Sequence, residues 1–271
     1  MAEESAWISI YDTLKKKILI YGFNEYTPKD GSDGVYIIRK ITNLPPLQFQ
    51  FEINVEIPFT IGFAENDMEL IINQCLQTMK IQETSLFAFK LKSKFDSDST
   101  YKDTIIELNL TKFTVQPEIW EMTTTEKLSM SRLHKDKGSQ LFKNGNVTKA
   151  LYQFSQAMKY LITFGPEPWP DWAIDDIKSL KALCYLNIAA CQIQNKSYKY
   201  VIDNCTKSLS LQPNNKKAYY RRSIAYLNLG EYELAYKDAK QGLSLEPNNK
   251  PLCSLIIEIK KKIIVTDRPF K

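Results

Sequence analysis

Two kinds of hydrophobic pattern divide the chain near residue 117. Between about residues 33 and 115, apolar and polar residues alternate over short runs, which is the period of a strand with one buried face. From about residue 125 onward, apolar and small residues recur with the spacing of amphipathic helices. The pattern predicts a sheet domain over residues 1–117 and an all-helical domain over residues 118–271.

The first region is predicted to contain at least four strands. They cover residues 34–41, 49–57, 85–91 and 104–113. The second of these runs alternates strictly, and its apolar positions should share one buried face: Phe49, Phe51, Ile53, Val55 and Ile57.

One helix interrupts these strands, over residues 69–79. Its apolar stripe is predicted to be Leu70, Ile71, Cys75, Leu76 and Met79. Residues 15–21 fit either an edge strand or a short helix. The order of elements predicts an antiparallel sheet with one helix packed across it, an α+β arrangement.

The helical region contains an internal repeat. Residues 209–216 recur at residues 243–250, an offset of 34, and they differ only where Gln212 is replaced by Glu246. This offset is the period of the tetratricopeptide repeat (TPR), a helix–turn–helix unit that buries its apolar face by stacking on its neighbours. Small residues such as Gly138 allow the helices of one hairpin to approach, and the prolines Pro213 and Pro247 end second helices. The sequence therefore predicts a TPR superhelix of three repeats, capped by a helix over residues 256–265.

Composition limits the kinds of function. The chain has 271 residues, of which 44% are hydrophobic, and this suffices for two domains with separate cores. No apolar run reaches the length of a membrane span, and the first residues lack the apolar core of a signal peptide. The five cysteines form no C-x-x-C pair, which favours buried thiols and a cytoplasmic, or cytoplasmic and nuclear, protein.

The one histidine, His134, is interpreted as a partly exposed surface residue. A single histidine leaves little material for a His-ligated metal site or a Ser-His-Asp triad. Neither a metal nor another cofactor is expected.

Charge is distributed unevenly between the two regions. Residues 1–119 carry 12 Lys and Arg against 17 Asp and Glu, a net charge of −5. Residues 120–271 carry 24 against 14, a net charge of +10. The helical region should therefore attract acidic ligands. Because its basic residues are dispersed and form no nucleic-acid-binding motif, neither a nucleic acid nor a membrane is expected as a partner.

Several short motifs resemble those of FKBP-type immunophilins. Residues 58–62 read Pro-Phe-Thr-Ile-Gly, and the predicted helix ends in Leu-Gln-Thr-Met before Glu83. Residues 118–122, Glu-Ile-Trp-Glu-Met, resemble the linker that joins the last FKBP-like domain to the TPR domain in the large steroid-receptor immunophilins. The resemblance covers residues 30–265 and implies an FKBP-like sheet domain followed by a TPR domain, as in atypical co-chaperones of this family.

The family's activity is peptidyl-prolyl isomerisation, which lowers the barrier to rotation about X–Pro bonds. The resemblance places Ile72 where active members have the tryptophan on the floor of their pocket. The Phe-Asp pair of active members has no counterpart between Ile41 and Pro58, and their Ala-Tyr-Gly motif is replaced around Lys94 and Phe95. The resemblance, with these pocket residues replaced, thus implies no catalytic residue and a binding module for a client protein such as a kinase. An active isomerase is the least favoured alternative.

TPR domains of this family bind the acidic C-terminal peptide of the ninety-kilodalton heat-shock chaperone through a carboxylate clamp. The resemblance carries that role to five residues on first helices of the repeats: Lys135, Ser139, Asn187, Lys217 and Arg221. Ser139 stands where an asparagine is common. Two alternatives stay open: these side chains are ordinary solvated groups, or the chain is a scaffold that binds its partner directly without the chaperone.

Overall fold

The computed structural model describes residues 6–43, 52–64, 66–90, 103–165 and 169–266. The chain separates into two compact units, Met1–Pro117 and Glu118–Lys271. Each unit has its own hydrophobic core. No helix in these ranges is long and apolar enough to cross a membrane.

The first unit is built on a six-stranded antiparallel sheet in the order β1-β2-β5-β6-β3-β4. The strands are β1 (Ile8–Tyr11), β2 (Leu14–Ile20), β3 (Asp33–Thr42), β4 (Glu56–Thr60), β5 (Thr84–Phe89) and β6 (Thr104–Phe113). The ambiguous residues 15–21 thus lie mainly in strand β2. One helix, α1 (Asp67–Leu76), packs across the sheet, and the predicted α+β class is confirmed.

Helix α1 begins two residues earlier than predicted, and this changes its buried face. Asn66 caps the helix by accepting a hydrogen bond from the Glu69 amide at 2.9 Å. The buried apolar residues are Met68, Ile72, Cys75 and Leu76, which follow a spacing of i, i+4, i+7 and i+8. Leu70, predicted to be buried, is 40% exposed, so that part of the predicted stripe is wrong.

The predicted strand over residues 49–57 is shorter in the structure. Phe49 and Phe51 lie outside the described residues, and β4 begins only at Glu56. Ile53 and Val55 are 49% and 44% exposed, so their predicted burial is wrong. A left-handed backbone at Asn54, with φ of 61°, bends the chain there, and its amide donates to the Ile38 carbonyl at 2.8 Å.

An ion pair lies inside the first unit. Lys16 on β2 contacts the Glu83 carboxylate at 2.7 Å, and both side chains are at most 5% exposed. The Lys16 ammonium also donates to the Thr78 carbonyl. Glu83 accepts two further hydrogen bonds, from the Lys80 amide at 2.9 Å and the Ser85 hydroxyl at 2.6 Å. These bonds compensate the buried charges and tie β2 and β5 to the end of α1.

The second unit is a run of antiparallel helical hairpins. The helices are α2 (Thr124–Lys143), α3 (Val147–Ile162), α4 (Ile174–Gln194), α5 (Tyr198–Leu211), α6 (Lys216–Asn228), α7 (Tyr232–Leu245) and α8 (Lys250–Thr266). A 3-10 turn, Asp171–Ala173, precedes α4. The pairs α2/α3, α4/α5 and α6/α7 form three repeats, and α8 packs on α7 as the predicted capping helix.

Small residues allow the close helix packing within each hairpin. A Cβ atom at Gly138 would lie 2.7 Å from the Phe154 ring, so only glycine fits there. Ala189 in the second repeat is likewise at 0% exposure, and the position 34 residues later is Ser223, also at 0% exposure. Buried serines also bridge helices: Ser208 donates to the Ala182 carbonyl at 3.0 Å, and Ser223 to the Ala235 carbonyl at 2.7 Å. The hairpins are therefore fixed by both packing and hydrogen bonds.

The prediction that His134 is a surface residue is wrong. Its side chain is fully buried, it hydrogen-bonds Gln153 at 2.7 Å, and it stacks on Tyr160. It thus bridges α2 and α3 from the face that turns inward. The prediction of buried thiols holds for four cysteines, but Cys253 on α8 is exposed.

The segment between the first two repeats contains two tryptophans with different surroundings. Trp169 donates its indole N–H to the Phe164 carbonyl at 3.1 Å, and the ammonium of Lys181 lies 4.6 Å from the ring centroid. Trp172 is 62% exposed. The first is therefore a packing residue, and the second presents its ring to solvent.

Candidate carboxylate-binding site

The five predicted clamp residues lie on the first helices of the three repeats. Lys135 and Ser139 are on α2, Asn187 is on α4, and Lys217 and Arg221 are on α6. Helix α4 contacts both α2 and α6, so the first helices of successive repeats are neighbours. The hairpin geometry thus places these side chains on adjacent helices.

Arg221 is held in place by a contact between repeats. Its guanidinium donates to the Leu186 carbonyl of α4 at 2.6 Å, directly beside Asn187. Burial lowers the pKa of Arg221, and the neighbouring thiols Cys205 and Cys191 oppose that shift. Among the residues that the structure describes, no carboxylate pairs with it. A partly buried cation without an anionic partner is poised to bind an external anion.

Two thiols on α4, on either side of Asn187 in the sequence, each lie within the electrostatic reach of one candidate clamp cation. Burial raises the pKa of Cys184 to about 12, and the Lys135 charge opposes this. Burial raises the pKa of Cys191 to about 11, and the Arg221 charge opposes it. Cys184 and Cys191 are three residues before and four residues after Asn187, on the same face of the helix. Lys135 and Arg221 therefore act on thiols about one helical turn before and one turn after Asn187.

Ser139 and Lys135 are each engaged within helix α2. The Ser139 hydroxyl donates to the Lys135 carbonyl at 2.9 Å, so its single proton is already used. The Lys135 ammonium lies 2.5 Å from the carboxylate of Asp136, a largely exposed neighbour. Binding of a carboxylate by Ser139 would require its hydroxyl to rotate, whereas Lys135 only needs to exchange a solvent-exposed partner.

Lys217 is exposed one turn before Arg221 on the same helix. It lines a cavity of about 420 Å³ together with Asn214, Asn215, Lys216 and Leu245. Lys217 thus lies in the exposed first turn of α6, whereas Arg221 lies one turn further along the helix and is partly buried.

Two neighbouring cations are paired with acidic side chains of the chain. Arg222 forms a two-pronged contact with Asp238, at 2.6 and 2.8 Å, which joins α6 to α7. Lys216 lies 3.0 Å from Glu246. Because both residues already have an acidic partner, they are not part of the candidate clamp.

The first unit has a cavity of about 270 Å³ that the sequence analysis did not predict. It lies between strands β3 and β4 and helix α1, and its walls include Tyr36, Ile57, Phe59, Phe63, Glu69 and Ile72. Phe87 and Phe89, by contrast, belong to the hydrophobic core of the first unit. Phe95 and the residues around Lys94 lie outside the described ranges. No cluster of three His, Cys, Asp or Glu side chains suited to a metal occurs within those ranges.

The fold and repeats define the class of this chain: an FKBP-like domain followed by a TPR domain. The tetratricopeptide repeat model matches residues 216–249, which are the third repeat. The C-terminal TPR-containing domain of a Plasmodium falciparum FK506-binding protein is 29% identical, with a TM-score of 0.52 over 55% of this chain and 98% of that domain.

Relatives extend the similarity into a particular group of immunophilins. The chain is 32% identical to human peptidyl-prolyl cis-trans isomerase FKBP4 over 194 residues, which are 68% of this chain and 41% of that protein. It is 30% identical to human FK506-binding protein-like over 136 residues, 50% of this chain and 36% of that protein. A crystal structure of residues 1–211 of CG17282 shares the fold, with a TM-score of 0.59, 19% identity and coverage of 73% of this chain and 98% of that one. The chain thus spans less than half of the length of FKBP4.

Proposed function

We propose that the chain is a non-catalytic co-chaperone: its TPR unit binds the acidic C-terminal peptide of a heat-shock chaperone, and its FKBP-like unit binds a client protein. The observation that carries this proposal is Arg221, a partly buried guanidinium beside Asn187 that pairs with no carboxylate of the described chain. A C-terminal peptide supplies the missing anion as its terminal carboxylate.

The electrostatics of the second unit support an acidic ligand. Residues 120–271 have a net charge of +10, which accelerates encounter with an acidic peptide. Charge-assisted hydrogen bonds from Arg221 and Lys135 suit a planar carboxylate.

The identity of the client is the more specific part of the proposal. The short layout resembles that of the insect immunophilin bride of doubletime, and on that resemblance the client would be a kinase such as doubletime. A cytoplasmic location, extending to the nucleus, belongs to the same proposal, because four of the five thiols are buried and reduced.

Capture from cytosol tests the chaperone partner. The immobilised full chain should retain the ninety-kilodalton heat-shock chaperone, and a free Met-Glu-Glu-Val-Asp peptide should displace it. The same peptide with an amidated C-terminus is the matched competitor, because it lacks only the terminal carboxylate. Retention that neither peptide displaces would contradict the clamp and favour a scaffold that binds partners directly.

The first unit should not accelerate prolyl isomerisation. Ile72 supplies a smaller floor than the indole of active family members, and the carboxylate of Glu69 stands on the cavity wall. In a protease-coupled assay with a proline-containing peptide, the observed rate should equal the uncatalysed rate, with a time constant of roughly tens to hundreds of seconds at 25 °C. A rate that rises in proportion to protein concentration would overturn this part of the proposal.

A further inference from the structure

The cavity of the FKBP-like unit combines aromatic walls with one carboxylate. Tyr36 and Phe59 meet with ring centroids 6.0 Å apart and ring planes tilted by 55°, and Phe63 adds a third ring. Ile72 closes the floor with a side chain that is 1% exposed. Glu69, on the first turn of α1, is the acidic residue among the lining side chains.

The position of the Glu69 carboxylate is fixed by its helix. The Asn66 side-chain amide donates to Glu69 Oε1 at 2.6 Å, while the Asn66 oxygen caps the Glu69 amide. The charge also reaches the opposite wall, since burial and then the Glu69 charge raise the pKa of Tyr36 to about 12. The Tyr36 hydroxyl therefore stays neutral at physiological pH, and Glu69 carries the negative charge among the lining residues that the structure describes.

The segment that builds the cavity is acidic throughout. Residues 52–69 contain five carboxylates, Glu52, Glu56, Glu65, Asp67 and Glu69, and no lysine or arginine. This run lies in a unit whose net charge is negative, in contrast to the TPR unit. The potential at the cavity therefore favours a cation over an anion or a neutral group.

We propose that this cavity binds an apolar group that carries a positive charge, such as an alkylammonium or arylammonium. The faces of the aromatic rings attract a cation, and the Glu69 carboxylate accepts its hydrogen bond. A neutral ring of the same size would displace water from Glu69 without replacing its hydrogen bonds, which costs affinity. The charge of the ligand thus decides whether the cavity is filled.

This inference rests on the proposed function, because it assigns the client-binding role of the FKBP-like unit to a defined site. A lysine side chain of a client and a free organic amine share the required chemistry. The cavity belongs to the first unit, so its occupation is read at residues that take no part in the clamp.

Benzylammonium and benzyl alcohol are matched probes, because they differ only in the charged group. In titrations of the 15N-labelled full chain at pH 7, benzylammonium should shift the amides of residues 57–63 and 69–73 in a saturable manner. Its affinity should exceed that of benzyl alcohol by roughly tenfold or more, because both probes donate to the carboxylate but only the ammonium adds the attraction of opposite charges. Equal affinities, or shifts elsewhere without shifts at these amides, would overturn the proposal.

Glu69→Gln removes the charge but keeps an oxygen that can accept from Asn66, so helix α1 should stay folded. This variant should bind the two probes equally, whereas Glu107→Gln on β6, outside the lining residues, should behave as the wild type. An unchanged preference in Glu69→Gln, with an otherwise intact amide spectrum, would contradict the assignment.

A second pair of probes distinguishes the sources of the cation. An acetylated and amidated Gly-Lys-Gly peptide is compared with its norleucine counterpart at the same amides. Binding of the lysine peptide supports a protein side chain as the ligand, and binding of benzylammonium alone supports a free amine. Binding of the acidic pentapeptide by the TPR unit is measured in parallel, so a failed clamp and a failed cavity give different results.

Discussion

Replacing Arg221 by alanine should reduce the affinity for a Met-Glu-Glu-Val-Asp peptide by roughly tenfold to hundredfold, or about 1.5–3 kcal/mol. The reason is the geometry of the guanidinium, which the Leu186 carbonyl holds beside Asn187 before any ligand arrives. Its orientation is therefore set in advance, and little side-chain entropy is lost on binding. Fluorescence anisotropy with a labelled pentapeptide measures the change.

The choice of control follows from the structure. Lys207 lies over the Tyr185 ring of α4, with its ammonium 5.7 Å from the ring centroid, so its removal would disturb that helix. Lys199 is exposed on α5 and is the better control. Lys199→Ala should bind the peptide as the wild type does. Arg221→Lys keeps the charge but loses the planar set of N–H donors of a guanidinium. Its affinity for the peptide should lie between those of Arg221→Ala and the wild type.

Salt dependence and folding complete the test. Binding should weaken as ionic strength rises from about 0.05 to 0.15 M, since the screening length falls to roughly 8 Å. Because Arg221→Ala also removes the bond to Leu186, the thermal unfolding of the helices is followed by circular dichroism. Unchanged peptide affinity in a folded Arg221→Ala protein would show that this residue does not bind the carboxylate.

Substituting Glu83 by glutamine should destabilise the FKBP-like unit by about 3–5 kcal/mol, the cost of leaving one member of a buried ion pair without its partner. Lys16 is 4% exposed and cannot reach water without rearrangement of β2. Glutamine keeps one oxygen, so it can accept from either the Lys80 amide, which donates to Oε2, or the Ser85 hydroxyl, which donates to Oε1, and the loss of the second bond adds to the loss of the charge. Hydrogen exchange of the β5 and β6 amides, followed by mass spectrometry, reports the stability of this unit separately from the helices.

A double variant separates the charge effect from the packing effect. Lys16→Met together with Glu83→Gln leaves no buried charge, and it should recover much of the stability that Glu83→Gln alone loses. Glu107→Gln makes the same chemical change on β6 at a more exposed position and should have little effect. Equal exchange rates in Glu83→Gln and the wild type would refute the importance of the pair.

The repeat unit could be predicted from the sequence because its packing rules are local and periodic. The 34-residue offset, Gly138 and the closing prolines place the three hairpins and the capping helix. The periodicity could not predict whether an individual polar side chain is buried or exposed. His134 sits within a polar stretch of α2, yet Gln153 and Tyr160 on α3 give it a buried site.

The sheet unit was harder to predict, because its burial depends on pairings between distant strands. Alternation continues through residues 49–57, but the ladder to β3 begins only at Glu56, and the turn at Asn54 exposes Ile53 and Val55. In α1, the cap at Asn66 rather than the apolar run sets the first turn, and this leaves Leu70 at the surface. A search for N-cap residues would have found that start.

The candidate site could be predicted from the sequence only in part. Resemblance placed the clamp residues on α2, α4 and α6, but the hydrogen bond from Arg221 to Leu186 and the engaged hydroxyl of Ser139 are tertiary details. The cavity beside Tyr36 joins residues more than thirty positions apart, so no linear motif marks it. The acidic run over residues 52–69 was the signal in the sequence that could have directed attention there.

The distribution of the thiols has a consequence for covalent chemistry on this chain. Only a thiolate attacks an alkylating or oxidising reagent, and burial raises the pKa of Cys75, Cys184, Cys191 and Cys205. Cys253 lies at the surface of the capping helix. The native chain therefore has the reactivity of a protein with one cysteine: a maleimide dye attaches with a stoichiometry of one, and oxidation joins two chains through their last helices.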